Sequence, residues 1–203
     1  MAVFGGYGFT QHANTPSRLN DLLLIDTHSN TIKEVQVRSE EKPCPRMSAS
    51  LCSLLGGVLL FGGRGNPSCA FDDLWFFDLD QERWYSVDYD ASLPHPEARW
   101  SCSITSLSET HAALYGGRDS ASTFGDVWTL HLVRSDDHIA ASWFCLYDKR
   151  NSIYNANESP DSRFDACILP LCSQTRSTCT HDHVLILGGK SSLLGDCTHH
   201  SFP

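Results

Sequence analysis

The chain has 203 residues, 41% of them hydrophobic and 19% charged, with a formal net charge of −9, enough for one sizeable domain with a real core. The acidic balance speaks against a sequence-independent grip on nucleic acid, which needs a basic surface to neutralise phosphates, although it leaves room for a local basic patch. No window approaches about 18 uninterrupted apolar residues, so no membrane-spanning helix is expected. The opening MAVFGGYGFT lacks the basic start and long apolar core of a signal peptide. The cysteines number nine, an odd count. With no export signal, they point to a reduced, cytoplasmic protein rather than a disulfide framework.

In chain order, a glycine pair closes an apolar run four times: Gly5-Gly6, Gly62-Gly63, Gly116-Gly117 and Gly188-Gly189, with separations of 57, 54 and 72 residues. A second mark precedes the last three pairs: Pro43-x-x-Arg46, Pro96-x-x-Arg99 and Pro160-x-x-Arg163, each followed by a large apolar residue, Met47, Trp100 or Phe164. A third mark follows the first three pairs: Leu19-Asn-Asp-Leu22, Asp72-Asp-Leu74 and Gly125-Asp-Val127 each open a β-rich run. Marks recurring in step at this period predict a propeller or a solenoid. Each full repeat reads as four short strands. They are expected at 47–54, 57–61, 74–79 and 84–88 in the second repeat, and at 100–107, 111–115, 127–133 and 142–147 in the third. No run of about ten residues has helical periodicity, so almost no helix is expected and a β-propeller is favoured over a helical solenoid. Two polar inserts read as surface loops, Arg134–Ala140 lengthening the last hairpin of the third repeat and Leu171–His183 the first hairpin of the fourth.

Glycine takes positive φ without steric cost and lets a neighbour approach the bare backbone. The late tryptophans, Trp84 and Trp143, 22 and 27 residues after Gly62 and Gly116, are expected to lie over the pairs as structural packing. The glycine pair with an aromatic and then Trp seven residues on, as in Phe77 and Trp84, resembles the kelch motif. Ile25 and Ile32 hold the same positions in the first repeat, and Leu130 the first of them in the third. The resemblance implies an all-β, incomplete kelch β-propeller. A partial blade at 3–37 and a partial blade at 160–190 flank two complete four-stranded blades at 43–89 and 96–148, with an irregular tail at 191–203. An unclosed arc leaves exposed sheet edges, so the chain is expected to be a fragment of a longer protein, poorly soluble when expressed by itself.

The wording Leu60-Phe-Gly-Gly-Arg64-Gly-Asn-Pro67, Pro96-Glu-Ala-Arg99-Trp-Ser101 and Ala113-Leu-Tyr-Gly-Gly-Arg118, followed by Gly125-Asp-Val-Trp128, further resembles the C-terminal kelch half of the tRNA wybutosine-synthesizing protein 4 (leucine carboxyl methyltransferase 2) family. That resemblance implies a separate N-terminal S-adenosylmethionine-dependent methyltransferase domain acting on phenylalanine tRNA. Nothing in the present chain matches the methyl-donor site. No catalytic residue and no cofactor is therefore assigned to it; Gly6-Tyr-Gly8 and Gly63-Arg-Gly65 neither complete a nucleotide loop nor open a helix.

Chemistry-bearing residues are otherwise sparse. Cys172, Cys179, His181 and His183, with Cys197, His199 and His200 nearby, have zinc-ligand character but no Cys-x2-Cys knuckle, and the simpler reading is a polar hairpin insert. There is no Gly-x-Ser-x-Gly elbow and no His-Glu-x-x-His, and His111 and His131 read as structural strand residues. Asp72, Asp73, Asp78 and Asp80 read as turn formers. The arginines carry two readings. Arg46, Arg99 and Arg163 either clamp carbonyls or Asp of the next blade, or line a channel mouth with Arg64 and Arg118 and contact a phosphate-bearing or acidic partner. The functional expectation is an accessory propeller of a tRNA-modifying methyltransferase-like protein, joined to the rest of a propeller and a methyltransferase domain and contacting tRNA. The alternative is a protein-interaction scaffold such as a ubiquitin-ligase adaptor or trafficking effector. Neither reading involves a membrane.

Overall fold

In the computed structural model the description covers residues 1–9, 14–135, 138–148, 150, 160–175 and 178–191, with the side chains at 172–182 left aside. These residues form only β-structure, and they contain no helix long and apolar enough to cross a membrane.

Four main sheets follow one another along the chain, antiparallel except for one short parallel strand in the third. The first orders β1 (Ala2–Gly8), β2 (Ser17–Asp26) and β3 (Thr31–Glu34) as β1-β2-β3. The second contains β4 (Ser50–Leu54), β5 (Gly57–Phe61), β8 (Leu74–Asp78) and β9 (Arg83–Ser86) in that order. A small ribbon of β6 (Arg64–Asn66) and β7 (Cys69–Ala70) projects from its second connection. The third sheet runs β10-β14-β13-β12-β11, from β10 (Asp88–Tyr89), β11 (Ser103–Ser106), β12 (His111–Tyr115), β13 (Val127–Arg134) and β14 (Ile139–Tyr147). The last is a hairpin of β15 (Phe164–Thr175) and β16 (Thr178–Lys190). Strand composition explains the elements. β5, β8 and β12 are short apolar runs bounded by Gly, Asp and Ser, and β5 is buried along its whole length because sheets cover both of its faces.

Three expectations need correction. Arg134 and Ile139–Ala140 are not loop: the hairpin is lengthened as expected, but as strand, with β13 running through Arg134 and β14 starting at Ile139, and β10 adds to it in parallel at Ala140 and Ala141. The Leu171–His183 insert is likewise drawn into β15 up to Thr175 and into β16 from Thr178. Polar sequence can lengthen such ladders because their stability rests on backbone pairing. The third correction concerns the tryptophans. Register places Trp84 across from Phe77, which faces Val58, while Gly62 lies beyond Phe61 at the other end of β5. Trp143 faces Leu130, which faces Ala112, again remote from Gly116. Each indole packs between sheets instead. Trp84 meets Phe4 of the first sheet at 5.4 Å and Phe77 at 5.1 Å, and Trp143 meets Phe61 of the second at 5.5 Å. The core is accordingly a row of inter-sheet clusters: Phe4, Leu22, Leu60, Phe77 and Trp84 between sheets one and two, then Phe61, Phe76, Leu114, Trp128 and Trp143 between two and three.

Candidate ligand-binding site

The glycine pairs are built for a different neighbour. Gly62 and Gly63 have φ of 66° and 96°, and Gly116 and Gly117 have 65° and 94°. A Cβ on Gly62 would stand 2.6 Å from the Arg99 carbonyl oxygen, and one on Gly116 2.3 Å from that of Arg163. The second glycine of each pair donates its N–H to the same carbonyl: Gly6 to Arg46 at 2.8 Å, Gly63 to Arg99 at 2.9 Å and Gly117 to Arg163 at 2.8 Å. Each Pro-x-x-Arg backbone thus docks on the preceding sheet.

The arginine side chain turns back into its own sheet. Arg99 Nη1 and Nη2 donate to Asp126 at 2.6 and 2.8 Å, Nη1 also reaches Gly116 O at 3.0 Å, and Nε donates to Glu97 O at 2.9 Å. Its guanidinium carbon lies 4.0 Å from the centre of the Phe124 ring. Arg46 repeats this, with Gly62 O at 2.9 Å, Asp73 Oδ2 at 2.7 Å, Cys44 O at 3.0 Å and Phe71 at 4.0 Å. Trp75 and Trp128 Nε1 add donors to Asp73 and Asp126 at 2.8 and 2.7 Å. The side chains of Arg46 and Arg99 have no exposed surface, and a buried guanidinium with its donors matched to a carboxylate and carbonyls is a structural clamp. Arg163 donates to Gly188 O at 2.9 Å in the same manner. Hence the carboxylate comes from the arginine's own sheet, not the next one as expected, and Arg46 and Arg99 present no face to a partner. Asp73, read from sequence as a turn former, is a clamp; Asp78 does cap its turn, accepting from the N–H groups of Asp80 and Gln81 at 2.9 and 2.8 Å.

The other two candidate arginines lie where the sheets' connections converge. Arg64 and Arg118, each following a glycine pair, place their guanidinium carbons 5.2 and 5.8 Å from the Trp100 ring centre, and Arg118 lies 4.8 Å from that of Phe164. Cation and aromatic thus alternate along one rim, because the residue after Pro-x-x-Arg bridges to the residue after a glycine pair: Met47 to Arg64 and Trp100 to Arg118. Ser48, Ser101 and Asp165, at positive φ of 57°, 53° and 55°, hold this rim, joined by Ser101 N–H to Ser48 O and Asp165 N–H to Ser101 O, both at 3.0 Å. Together Arg64, Trp100, Arg118 and Phe164 line a shallow cavity of about 430 Å³. Trp100 is buried, both arginines are half-buried, and Arg64 Nε is buried with no hydrogen-bond partner. Such a surface can hold a carboxylate or phosphate edge-on while a flat group stacks. The sequence marked Trp100 and Phe164 only as large apolar residues; their recurrence one place after each repeated arginine was the available signal.

The metal candidates Cys172, Cys179 and His181 fall outside the described side chains, as do Cys197, His199 and His200; His183 is exposed on β16. His111 and His131 face one another across β12 and β13 with rings stacked at 4.4 Å. Burial pushes the Cys52 thiol up to about 12, against the small opposing effect of Ser106, so it is no nucleophile near neutrality.

A family model described as "KLHDC2/KLHL20/DRC7 Kelch-repeats domain" matches residues 1–143. The chain is 25% identical over 94% of its length to the dynein alpha chain of the flagellar outer arm of Chlamydomonas reinhardtii. It is 32% identical over 61% to tRNA wybutosine-synthesizing protein 4 of Aspergillus fumigatus, and 32% identical over 59% to an F-box/kelch-repeat protein of Arabidopsis thaliana. It spans only 4%, 10% and 26% of those three relatives. With glycine pairs, repeated sheets and a family model over 143 of 203 residues in agreement, the chain belongs to the KLHDC2/KLHL20/DRC7 kelch-repeats domain family.

Proposed function

We propose that the four sheets are successive blades of an incomplete kelch propeller, two of them complete, and that this arc is a non-catalytic protein-interaction scaffold. Its rim of Arg64, Trp100, Arg118 and Phe164 receives a carboxylate-rich segment of a protein partner. The observation that carries this reading is the division of the arginines. Arg46 and Arg99 are consumed by buried clamps, whereas Arg64 and Arg118 flank Trp100 beside a cavity. The likeness to an F-box/kelch-repeat protein supports a binding role.

The likeness to tRNA wybutosine-synthesizing protein 4 supports a second reading, in which the same rim meets tRNA beside a methyltransferase domain that holds the S-adenosylmethionine. The net charge of −9 weighs against it, since tRNA would be repelled by most of the surface. Fluorescence anisotropy with a labelled Asp/Glu-rich dodecapeptide and with tRNA separates the two. The scaffold reading expects saturable, salt-sensitive peptide binding that falls about tenfold or more in Arg64→Ala/Arg118→Ala, with weaker binding of tRNA. Tight tRNA binding lost in the same variant, with no peptide binding, supports the second reading and overturns the first.

A further inference from the structure

His111 and His131 have no part in the clamps or the rim. They lie directly opposite one another on the antiparallel strands β12 and β13. Leu132 N–H donates to Thr110 O at 2.8 Å, so Thr110 and Leu132 are hydrogen-bonded partners and the next pair, His111 and His131, is a non-hydrogen-bonded one. Pairs of that kind hold their side chains closest across a sheet. The two ring centres are 4.4 Å apart, with 13° between the planes. Ala112, Leu130 and Leu132, their neighbours along the strands, turn into the core shared with the second sheet. Side chains alternate along a strand, so both imidazoles stand on the other face, where His111 is exposed and His131 half-buried.

Stacking does not consume the in-plane lone pair of an imidazole. For His111 the turn before β12 bears on which nitrogen presents it. Thr110 Oγ1 lies 2.9 Å and Ser108 Oγ 3.2 Å from its Nδ1. Ser108 Oγ also accepts from the backbone N–H groups of Thr110 and His111, at 3.3 and 3.1 Å, and so fixes the turn. An Nδ1–H donating to the Thr110 hydroxyl puts the lone pair on Nε2, the arrangement in which a hydrogen bond at one nitrogen orients a metal-binding histidine. Ser142, opposite His131 on β14, adds no charge. Among the described residues no cluster of three or more His, Cys, Asp or Glu is placed to hold a metal, so an ion held here has two protein ligands and takes the others from water. Imidazole without carboxylate suits zinc and nickel and is poor for calcium and magnesium, which need oxygen ligands.

We propose that His111 and His131 form a two-histidine chelate for a divalent transition-metal ion of the zinc or nickel class. Metal–nitrogen bonds of about 2.0–2.1 Å require the parallel rings to tilt until one lone pair of each meets the ion, and the solvent-open side of His111 leaves room for that. The paired strands set the spacing of the two ligands before the ion arrives, so the second bond forms at little further loss of freedom. The bound ion ties β12 to β13 at the end of β12 remote from Gly116 and Gly117, and therefore stabilises the third sheet. The inference depends neither on the rim ligand nor on the cysteine and histidine candidates around Cys172 and Cys179.

The test uses the full chain, isotope-labelled and kept reduced, with divalent nickel as the probe, because nickel favours imidazole and its unpaired electrons broaden nearby nuclear magnetic resonance signals. With less than one equivalent of nickel, the amide signals of His111 and His131 should broaden before those of the first two sheets. In His111→Asn and in His131→Asn this site should bind nickel about tenfold or more weakly, since a chelate fails when either arm is removed. Added zinc should raise the melting temperature of the parent chain and do so less in either variant. Broadening confined to other cysteines and histidines overturns the proposal. So does a folded His131→Asn protein in which the His111 signal broadens at the same nickel concentration, which is the behaviour of a single histidine. The broadening pattern of the parent chain decides the matter even if neither variant folds.

Discussion

Gly62 shows how much one missing side chain organises. Its φ of 66° excludes most residues, and the Arg99 carbonyl sits 2.6 Å from where a Cβ would be. Gly62→Ala must therefore strain its own backbone and push the third sheet away, breaking the Gly63 N–H bond to Arg99 O. We expect a loss of more than about 2 kcal/mol in chemical denaturation, whereas Gly8→Ala, at ordinary φ with only the end of the Leu19 side chain nearby, should change stability little. From sequence the glycine pair was legible as a sharp turn with a close neighbour, because conformational freedom is local to the residue. The identity of the neighbour was not legible. The Arg99 carbonyl arrives from 37 residues downstream, and a backbone atom leaves no trace in composition. Trp84 was the conspicuous candidate, and register alone places it at the far end of the strand.

At the scale of elements, sheets are joined by apolar clusters, glycine-to-arginine backbone bonds and side-chain links such as Ser50 Oγ to Cys102 O and the Asp78–Arg134 pair. Asp78 ends β8 and Arg134 ends β13, so this ion pair crosses from the second sheet to the third. Burial works to raise the pKa of Asp78, but the Gln81 N–H, the Arg134 guanidinium and the Asp80 N–H outweigh it and hold the carboxyl below its ordinary value. A depressed folded-state pKa contributes stability above the unfolded value of about 4 and loses it as pH falls through the folded one. Asp78→Asn should therefore lower stability at pH 7 by about 1–3 kcal/mol and should flatten the decline of melting temperature below about pH 4. An unaltered acid profile in the variant would assign the decline to other carboxylates. Strands such as Gly57–Phe61 and His111–Tyr115 were legible to the residue, since short apolar runs between glycine and aspartate have one interpretation. That the inserts lengthen hairpins was legible too; that they do so partly as strand was not, because polar residues suit a loop and a long ladder equally well.

Over the whole molecule, the arrangement separates two uses of one residue type. Arginines after Pro-x-x clamp their own sheets and accept, through their carbonyls, an N–H of the preceding sheet, and arginines after glycine pairs are left at a rim between aromatic rings. Sequence spacing revealed both series and left the first with two readings, a clamp or a partner contact; for Arg46 and Arg99 burial under Phe71, Asp73, Phe124 and Asp126 favours the clamp. The family assignment was legible from the same spacing. What the rim binds is not encoded in spacing at all, only in the chemistry of the surface that the sheets assemble.

The most direct test is a paired measurement of melting temperature and acidic-peptide affinity on Arg99→Lys and on Arg64→Ala/Arg118→Ala. Lysine cannot reproduce the two-pronged bond to Asp126 or the stacking on Phe124. Arg99→Lys should therefore lose about 3–5 kcal/mol of stability while the fraction that remains folded binds peptide normally. Arg64→Ala/Arg118→Ala should melt within about 1 kcal/mol of the parent chain and bind the peptide about tenfold or more weakly. The opposite outcome, a stable Arg99→Lys protein that no longer binds and an Arg64→Ala/Arg118→Ala protein that binds as before, would contradict the division of structural and ligand-facing arginines.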